Sequence, residues 1–198
     1  RGVQVRIVDP VDGYVLGRCK QGVLQVKGPT VMKGYYKRPD LTAKAINEEG
    51  WLDTGDLAIL TIHDEIQIKG RIKDTIVLSG GENLEPLPIE TKLSESRYIK
   101  AAVVVGQDQR FLGALILVDE DEVRNFADAN GIAYDTYEKL LASDEVQKLY
   151  DNEIANLISS KTGFKMFERI SRFRLITKPF EVGVELSAKQ EVMRFRIN

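Results

Sequence analysis

The sequence predicts an α+β protein in two parts, a β-rich N-terminal segment over residues 1–71 and a small α+β domain over residues 72–198. Residues 1–70 are rich in β-branched residues and in turn-forming Gly, Pro and Asp. Two continuous apolar runs of strand length follow, and helical periodicity appears after them. The chain has 198 residues, 43% of them hydrophobic, which is enough for one ordinary core or two small ones.

The N-terminal part is predicted to contain strands joined by turns. Strands are expected at residues 3–8 and 22–27, each followed by turn residues. A short helix is expected at residues 42–46, with Thr42 or Asp40 as its N-cap. A hairpin at residues 57–69 turns at His63-Asp64, and its alternation predicts that Ile66 and Ile68 share a half-buried face.

The C-terminal part is predicted to pack helices over one mixed sheet. The expected strands are residues 75–78, 101–105, 112–118 and 173–176, and the expected helices are residues 86–96, 119–129 and 143–162. Acidic residues in the first turn favour the second helix, and Ser143 is a good N-cap for the third.

Composition excludes several classes of function. The net charge is −2 and no basic stripe with interleaved aromatics occurs, so no nucleic-acid partner is expected. Cys19 is the only cysteine and His63 the only histidine, which suits a reducing cytoplasm and argues against a His-rich metal site. The apolar runs are too short to span a bilayer, and the N-terminus does not resemble a signal peptide. The chain begins without methionine in an apparent strand, which we interpret as the mark of a fragment.

Three short motifs carry the chemical information. They are Gly-Trp-Leu-Asp-Thr-Gly-Asp at residues 50–56, Gly-Arg-Ile-Lys-Asp at residues 70–74, and Ser-Gly-Gly-Glu-Asn at residues 79–83. Taken singly, each has a structural explanation as a turn aspartate, a hairpin end or a tight loop. Together with Gly-Pro-Thr-Val-Met-Lys-Gly-Tyr-Tyr at residues 28–36, their order and spacing resemble the adenylate-forming superfamily. This group includes acyl-CoA synthetases, firefly luciferase and nonribosomal peptide adenylation domains.

The resemblance implies a nucleotide site and a hinge. It makes Asp56 the ligand of the ribose hydroxyls, and a carboxylate can accept two such hydrogen bonds at once. It makes Arg71 the second ribose contact, with a guanidinium that stays charged. Lys73 corresponds to the hinge about which a mobile C-terminal lid domain rotates between adenylating and thioester-forming poses. Without the resemblance, Lys73 would be read as a surface lysine.

The glycine-rich motif is assigned to the second substrate by the same resemblance. Gly80, Gly81 and Glu82 correspond to the loop that lines the pantetheine tunnel of coenzyme A. Glycines permit close approach of a thin ligand to the backbone, although a Gly-Gly turn needs no ligand at all.

The last third of the chain resembles long-chain fatty-acyl-CoA synthetases. The helix-rich stretch at residues 134–162 and the phrase Phe-Glu-Arg-Ile at residues 167–170 carry this likeness. The alternative is a variable surface insertion that is unrelated to acyl chain length. Four basic residues are candidates for a patch that meets the nucleotide of coenzyme A, although a solvated helix end also explains them: Lys161, Lys165, Arg169 and Arg172.

One position departs from the family pattern, which places a catalytic lysine near the chain end, three residues before an arginine. Matching Leu186 and Arg194 to that pattern places Glu191 where lysine belongs. An acid there would repel the carboxylate and phosphate that lysine bridges. Lys189 lies two residues earlier and would face the same way in a strand, so a shift of register would present it instead. Lys189 is therefore the candidate catalytic residue.

The expected parent protein is an ATP-dependent acid–thiol ligase. By resemblance it makes acyl-AMP from a fatty acid and ATP with Mg²⁺, and then transfers the acyl group to coenzyme A. The family's phosphate loop and its adenine and magnesium contacts lie upstream of these motifs. We therefore expect the chain alone to be inactive and to hold no metal or cofactor. The alternatives are a carrier-protein acceptor and a degenerate, binding-only member. A cytoplasmic location is expected, with peripheral association at the inner membrane face as a further possibility.

Overall fold

The computed structural model describes residues 2–187, 192–194 and 197. The chain divides into two compact units, Arg1–Thr75 (unit 1) and Ile76–Asn198 (unit 2). The sequence places the boundary after Arg71, so the division by contacts falls a few residues later in the chain. Each unit has its own sheet and its own buried residues, and each is described separately below.

Unit 1 is a four-stranded antiparallel sheet in which neighbours in sequence are neighbours in space. The strands are β1 (Gln4–Val8), β2 (Gln21–Lys27), β3 (Leu52–Leu60) and β4 (Ile66–Arg71), in the order β1-β2-β3-β4. A short helix, α1 (Pro39–Ala45), lies between β2 and β3 in the sequence. Alternation along the strands separates two small buried clusters: Ile7, Leu24 and Ala58 form one, and Val8, Val23 and Leu57 form the other.

Two expectations for unit 1 are wrong. Helix α1 begins at Pro39, so Thr42 lies inside the helix rather than at its N-cap, and no side chain caps it. The Thr42 hydroxyl instead accepts from the backbone N–H of Tyr35 and donates to the carbonyl of Arg38. Ile66 and Ile68 are 41% and 50% exposed, because β4 is the edge strand and this face has no covering layer within unit 1.

Unit 2 contains a small hairpin and a mixed three-stranded sheet. The hairpin pairs β5 (Ile76–Val77) with β6 (Asn83–Leu84). The sheet has the order β7 (Ile99–Val105), β8 (Leu112–Val118) and β9 (Ile170–Ile176), with β7 antiparallel and β9 parallel to β8. This arrangement confirms the predicted α+β class and its mixed sheet.

In the described residues of unit 2, four α-helices accompany the sheets: α2 (Pro86–Leu93), α3 (Glu120–Ala129), α4 (Tyr137–Leu141) and α5 (Asp144–Leu157). The side chains of Asp119 and Ser143 cap α3 and α5 by accepting backbone N–H groups of their first turns. The helix expected over residues 143–162 ends at Leu157, and a short 3₁₀ turn, Ser160–Thr162, follows.

The core of unit 2 is one continuous apolar cluster that joins the sheets to the helices. Tyr150 of α5 is fully buried in it, and its hydroxyl donates to the carbonyl of Tyr98 at 2.8 Å. Tyr98 and Tyr150 meet edge to face, with ring centroids 6.5 Å apart. Since α5 and β7 are far apart in sequence, this buried contact fixes the long C-terminal helix on the sheet.

Candidate functional site

Asp56 and Arg71 face each other across strands β3 and β4. The register pairs the two residues directly, and Arg71 Nε donates to Asp56 Oδ1 at 3.0 Å. The two side chains are 29% and 45% exposed, respectively. Within the described part of the chain, the second oxygen Oδ2 of Asp56 accepts no hydrogen bond. The structure therefore brings together the two residues that the sequence assigns to a ribose.

The backbone before Asp56 is held by local hydrogen bonds. Gly55 has a φ of +71°, and its N–H donates to Asp53 Oδ1 at 2.8 Å. The Thr54 hydroxyl accepts from the N–H of Asp56 and donates to the carbonyl of Leu24 on the neighbouring strand. These contacts anchor the strand immediately before the carboxylate of Asp56.

A vicinal diol fits this pair. A carboxylate accepts two hydroxyl protons at once, and a neighbouring guanidinium donates to the hydroxyl oxygens. The partial exposure of both groups leaves them reachable from solvent. The donors and acceptors present are therefore those that a ribose requires.

Lys73 lies in the one-turn 3₁₀ segment Ile72–Asp74 that follows β4 directly. Its side chain is exposed, and among the described residues it forms no ion pair. The flanking residues Arg71 and Thr75 both have ψ values typical of extended chain, 142° and 124°. A single helical turn between extended residues has few backbone hydrogen bonds to break, so this geometry is compatible with a hinge.

Gly80, Gly81 and Glu82 form the turn that joins β5 to β6. The N–H of Gly81 donates to the carbonyl of Leu78, and the N–H of Leu78 donates to the carbonyl of Glu82. Gly81 has a φ of +89°, which a residue with a side chain adopts only with strain. Gly80 has the Glu82 carboxylate directly beside its Cα. The three residues that the motif groups in the sequence thus lie together in one tight turn.

The loop between β7 and β8 supports this turn, which the sequence did not indicate. The N–H of Ser79 donates to the carbonyl of Gln109, and the N–H of Asp108 donates to the carbonyl of Val77, both at 2.9 Å. The side chain of Gln107 accepts from the N–H of Val77 at 3.1 Å. The sequence feature that could have indicated this loop is the polar run at residues 107–110, which separates two apolar strands.

A buried ion pair ties the end of the chain to the body of unit 2. Glu90 of α2 accepts from the N–H of Val104 in β7 at 2.7 Å and from Arg194 Nη2 at 2.8 Å. Arg194 Nη1 donates to the carbonyl of Val104 at 2.7 Å. The two charged side chains are only 13% and 12% exposed. Sequence reasoning used Arg194 only to set a register and gave Glu90 no role.

The candidate catalytic residue Lys189 and the neighbouring Glu191 lie outside the described residues. On either side of them, Leu186 forms an isolated antiparallel bridge with Val192, and the N–H of Met193 donates to the carbonyl of Glu185 at 2.7 Å. These contacts place Leu186 and Val192 side by side in antiparallel orientation.

The four candidate basic residues of the last third are all exposed, but they do not line one cavity. Arg172 lies in β9 and lines a cavity next to the β7–β8 loop. Arg169 lines a different cavity, together with residues of α5. Lys165 lies over the ring of Phe167 at 5.3 Å, and Lys161 is in the 3₁₀ turn.

Two further properties bear on function. In residues 2–187, 192–194 and 197, no three His, Cys, Asp or Glu side chains come close enough together to hold a metal ion. No helix in the same part of the chain has the length and apolarity required to cross a membrane.

The fold of unit 2, with the Asp56–Arg71 pair of β3 and β4 just before it in sequence, defines the C-terminal part of an adenylate-forming enzyme. The chain belongs to this family: the family model described as the AMP-binding enzyme C-terminal domain matches residues 73–198. This match confirms the resemblance predicted from the motifs.

Its relatives include fatty-acid ligases of two kinds. Over 133 residues, the chain is 45% identical to the long-chain-fatty-acid–[acyl-carrier-protein] ligase AEE15 of Arabidopsis thaliana, covering 62% of this chain and 18% of that protein. Over 179 residues it is 30% identical to the long-chain-fatty-acid–CoA ligase 1 of Cavia porcellus, covering 90% of this chain and 25% of that protein. The chain thus spans no more than a quarter of the length of these two relatives.

Solved structures show the same fold. The adenylation domain of the carboxylate reductase from Mycobacterium chelonae matches with a TM-score of 0.78 at 24% identity, over 99% of this chain and 29% of that one. The O-succinylbenzoate coenzyme A synthetase of Bacillus subtilis, solved in complex with AMP, matches with a TM-score of 0.69 at 21% identity, over 99% of this chain and 33% of that one. These likenesses confirm the architecture.

Proposed function

We propose that this chain is the C-terminal part of a longer ligase, the parent protein, that activates a fatty acid as acyl-AMP and transfers it to a thiol. The family match over residues 73–198 carries the proposal. The long-chain fatty-acid ligases among the relatives support the substrate class. The proposed substrates of the parent are a fatty acid, ATP with Mg²⁺, and coenzyme A.

In this proposal each group of residues has a separate task. Asp56 accepts hydrogen bonds from the ribose hydroxyls of ATP, and Arg71 holds that carboxylate in place while donating to the same ribose. Lys73 is the pivot between the two half-reactions. Gly80, Gly81 and Glu82 line the path of the acceptor thiol, and Lys189 is the proposed catalytic lysine. The general strategy is positioning combined with charge neutralisation.

A carrier-protein acceptor is the second candidate. It is favoured by the 45% identity to an acyl-carrier-protein ligase, which exceeds the 30% identity to the mammalian CoA ligase. The two acceptors share the pantetheine thiol, so the adenylation step is common to both. The binding-only alternative rests on Glu191 at the lysine position. A cytoplasmic location and peripheral membrane association remain predictions from the sequence.

The parent protein provides the test. It is incubated with ATP, Mg²⁺ and palmitate, and pyrophosphate release is measured before and after addition of coenzyme A or a holo carrier protein. The proposal predicts acyl-AMP in the first step and a thioester in the second. The acceptor that forms the thioester decides between the two candidates. If the parent released no pyrophosphate and formed no acyl-AMP, the result would support the alternative of a binding-only family member.

Asp56→Asn tests the site itself. Loss of a charge-assisted hydrogen bond is worth ~1.5–3 kcal/mol, so the KM for ATP should rise roughly tenfold to a hundredfold. Glu65→Gln removes a carboxylate from the opposite end of the same hairpin and is the matched control, with an unchanged KM expected. Equal effects of the two substitutions would contradict the assignment of Asp56.

A further inference from the structure

Residues 181–194, here called the C-terminal segment, are joined to the body of unit 2 through Arg194. Between described residues, the backbone hydrogen bonds of residues 181–193 stay inside the segment, as does the antiparallel bridge between Leu186 and Val192. Arg194 instead reaches out of the segment and contacts Glu90 of α2 and Val104 of β7. The position of the segment relative to the sheet therefore depends on these contacts.

Glu90, Arg194 and the backbone of Val104 form a closed hydrogen-bonded group, here called the clamp. Strand β7 lies at one edge of the three-stranded sheet, and side chains engage both backbone groups of Val104 at that edge. Its N–H donates to Glu90 Oε1 at 2.7 Å, and its carbonyl accepts from Arg194 Nη1 at 2.7 Å. Arg194 Nη2 lies 2.8 Å from both carboxylate oxygens of Glu90. Because a planar guanidinium fixes direction as well as distance, the clamp favours one register of the segment.

The clamp is nearly closed to water, since Glu90 is 13% and Arg194 is 12% exposed. A buried ion pair adds little net stability compared with well-packed apolar side chains, because both charges lose their hydration. Such a pair does favour a single geometry, because each charge is compensated only where the other meets it. It therefore suits a place where the register of the segment matters more than its stability.

The proposed catalytic Lys189 belongs to this segment. In sequence it lies three residues after Leu186 and five residues before Arg194, and Leu186 and Val192 on either side of it are neighbours in the structure. A lysine that bridges a carboxylate and a phosphate must be placed accurately, because a misplacement of ~1 Å can cost roughly a hundredfold in rate. A fixed register of the segment is what such a lysine requires.

We propose that Glu90 and Arg194 are positioning residues for the adenylation step, because the clamp sets the register of the segment that carries Lys189. The inference rests on the proposed function and on the role proposed for Lys189, and it extends both by assigning a task to two residues that contact no substrate. Acyl-AMP formation depends on the clamp, whereas the later transfer to the thiol does not.

The test follows the two half-reactions separately in the parent protein. Glu90→Gln keeps an acceptor for the Val104 N–H but removes the counter-ion of Arg194. The kcat for acyl-AMP formation, measured as pyrophosphate release, should fall roughly tenfold to a hundredfold, with the KM for ATP unchanged. Thioester formation from supplied palmitoyl-AMP should keep the wild-type rate. An unchanged kcat for acyl-AMP formation would overturn the proposal, and so would an equal loss in both half-reactions.

Glu153→Gln is the matched control. Glu153 is a half-buried carboxylate of α5 that accepts a hydrogen bond from the buried Ser96 hydroxyl rather than from the C-terminal segment. This variant loses a comparable charge of unit 2 and should leave both half-reactions unchanged. A fall in the kcat for acyl-AMP formation equal to that of Glu90→Gln would contradict the proposal.

Glu90→Ala combined with Arg194→Met separates positioning from stability. Removal of both charges leaves no uncompensated ion, so the unfolding midpoint of the double variant should lie above that of Glu90→Ala alone. Acyl-AMP formation should nevertheless stay at least tenfold below that of the wild-type protein, because the clamp is absent. Recovery of acyl-AMP formation in step with the midpoint would mean that the pair only stabilises the fold, and would overturn the proposal.

Amide hydrogen exchange tests the clamp without turnover. Peptides that cover residues 181–194 should exchange at least tenfold faster in Glu90→Gln than in Glu153→Gln, while peptides of β8 should exchange alike in both. Equal exchange of the segment in the two variants would overturn the proposal. If the parent formed no acyl-AMP, the proposed function would fail, whereas the exchange rates would still decide whether the clamp fixes the segment.

Discussion

Replacement of Glu90 by alanine should destabilise unit 2 while leaving unit 1 unaffected. The substitution removes the acceptor of the Val104 N–H and the counter-ion of Arg194. Glu90 is 13% exposed and Arg194 is 12% exposed, so water replaces these contacts poorly. Removing one member of a buried pair costs ~3–5 kcal/mol, and a buried N–H without a partner costs ~1–3 kcal/mol within that total.

We expect the free energy of unfolding of unit 2 to fall by ~3 kcal/mol, at the low end of that range, because Arg194 lies near the chain end and its side chain can turn towards water. With a urea m-value of ~2 kcal/mol/M, the midpoint shifts down by about 1.5 M. Glu90→Gln retains an acceptor for Val104 and should cost less, ~1–2 kcal/mol. Adding Arg194→Met to Glu90→Ala should recover part of the loss, because the unpaired cation is then gone.

Two optical probes separate the units in one titration. Trp51 is the only tryptophan and lies in unit 1, where the Arg6 guanidinium stacks over it at 4.2 Å, so its fluorescence reports unfolding of that unit. Circular dichroism at 222 nm reports mainly unit 2, which contains α2–α5. A shift of the dichroism midpoint worth less than ~0.5 kcal/mol would refute the reasoning. So would an equal shift of the Trp51 transition, because the loss would then not be local.

Five further substitutions should be read in the unit 2 dichroism transition. Tyr150→Phe removes a buried hydrogen bond and should cost ~1 kcal/mol, whereas Tyr137→Phe should cost less than ~0.5, because in the described part of the chain the buried Tyr137 hydroxyl has no hydrogen-bond partner. Burial raises the pKa of Tyr137 from 10.0 to about 12, so the stability that its neutral hydroxyl contributes is complete below pH 10 and is lost as the pH rises towards 12. Tyr137→Phe should therefore lose less stability between pH 10 and 12 than the wild-type protein. The same loss of stability in both proteins over that range would contradict this prediction. Gly81→Ala should cost ~1–2 kcal/mol because φ is +89°, while Gly80→Ala only displaces the flexible Glu82 side chain; equal costs would contradict this. Ser143→Ala should lose the α5 cap, ~1 kcal/mol, and no change would argue against that cap.

Patterns in neighbouring residues correctly predicted the strands and the helix cap that depend only on local interactions. The apolar runs became β7 and β8, and the cap Ser143 was correctly identified because it acts within one helical turn. Asp119 was predicted as the first helical residue and is instead the N-cap of α3. The side-chain cap predicted for α1 was wrong because the helix starts earlier, at Pro39, whose fixed φ and missing N–H suit the first turn.

Contacts between distant parts of the chain carried no such signal. Glu90 and Arg194 are 104 residues apart, and neither stands in a pattern that indicates a buried partner. The support of the glycine turn by Gln107 and Gln109 also depends on tertiary pairing rather than on local sequence. For the site, the motif resemblance selected Asp56 and Arg71, and the β3–β4 register provides the physical reason that they meet.

In the proposed function, burial divides the same chemistry of the two Arg–carboxylate pairs between recognition and stability. An exposed pair is worth ~0–1 kcal/mol, so Asp56, at 29% exposure, adds little to folding and remains able to accept hydrogen bonds from a diol. The Glu90–Arg194 pair is less than half as exposed, and each member depends on the other to avoid an uncompensated charge. Changes at Asp56 should therefore alter nucleotide binding without altering the unfolding of unit 1. Changes at Glu90 should lower the stability of unit 2 without first altering nucleotide binding.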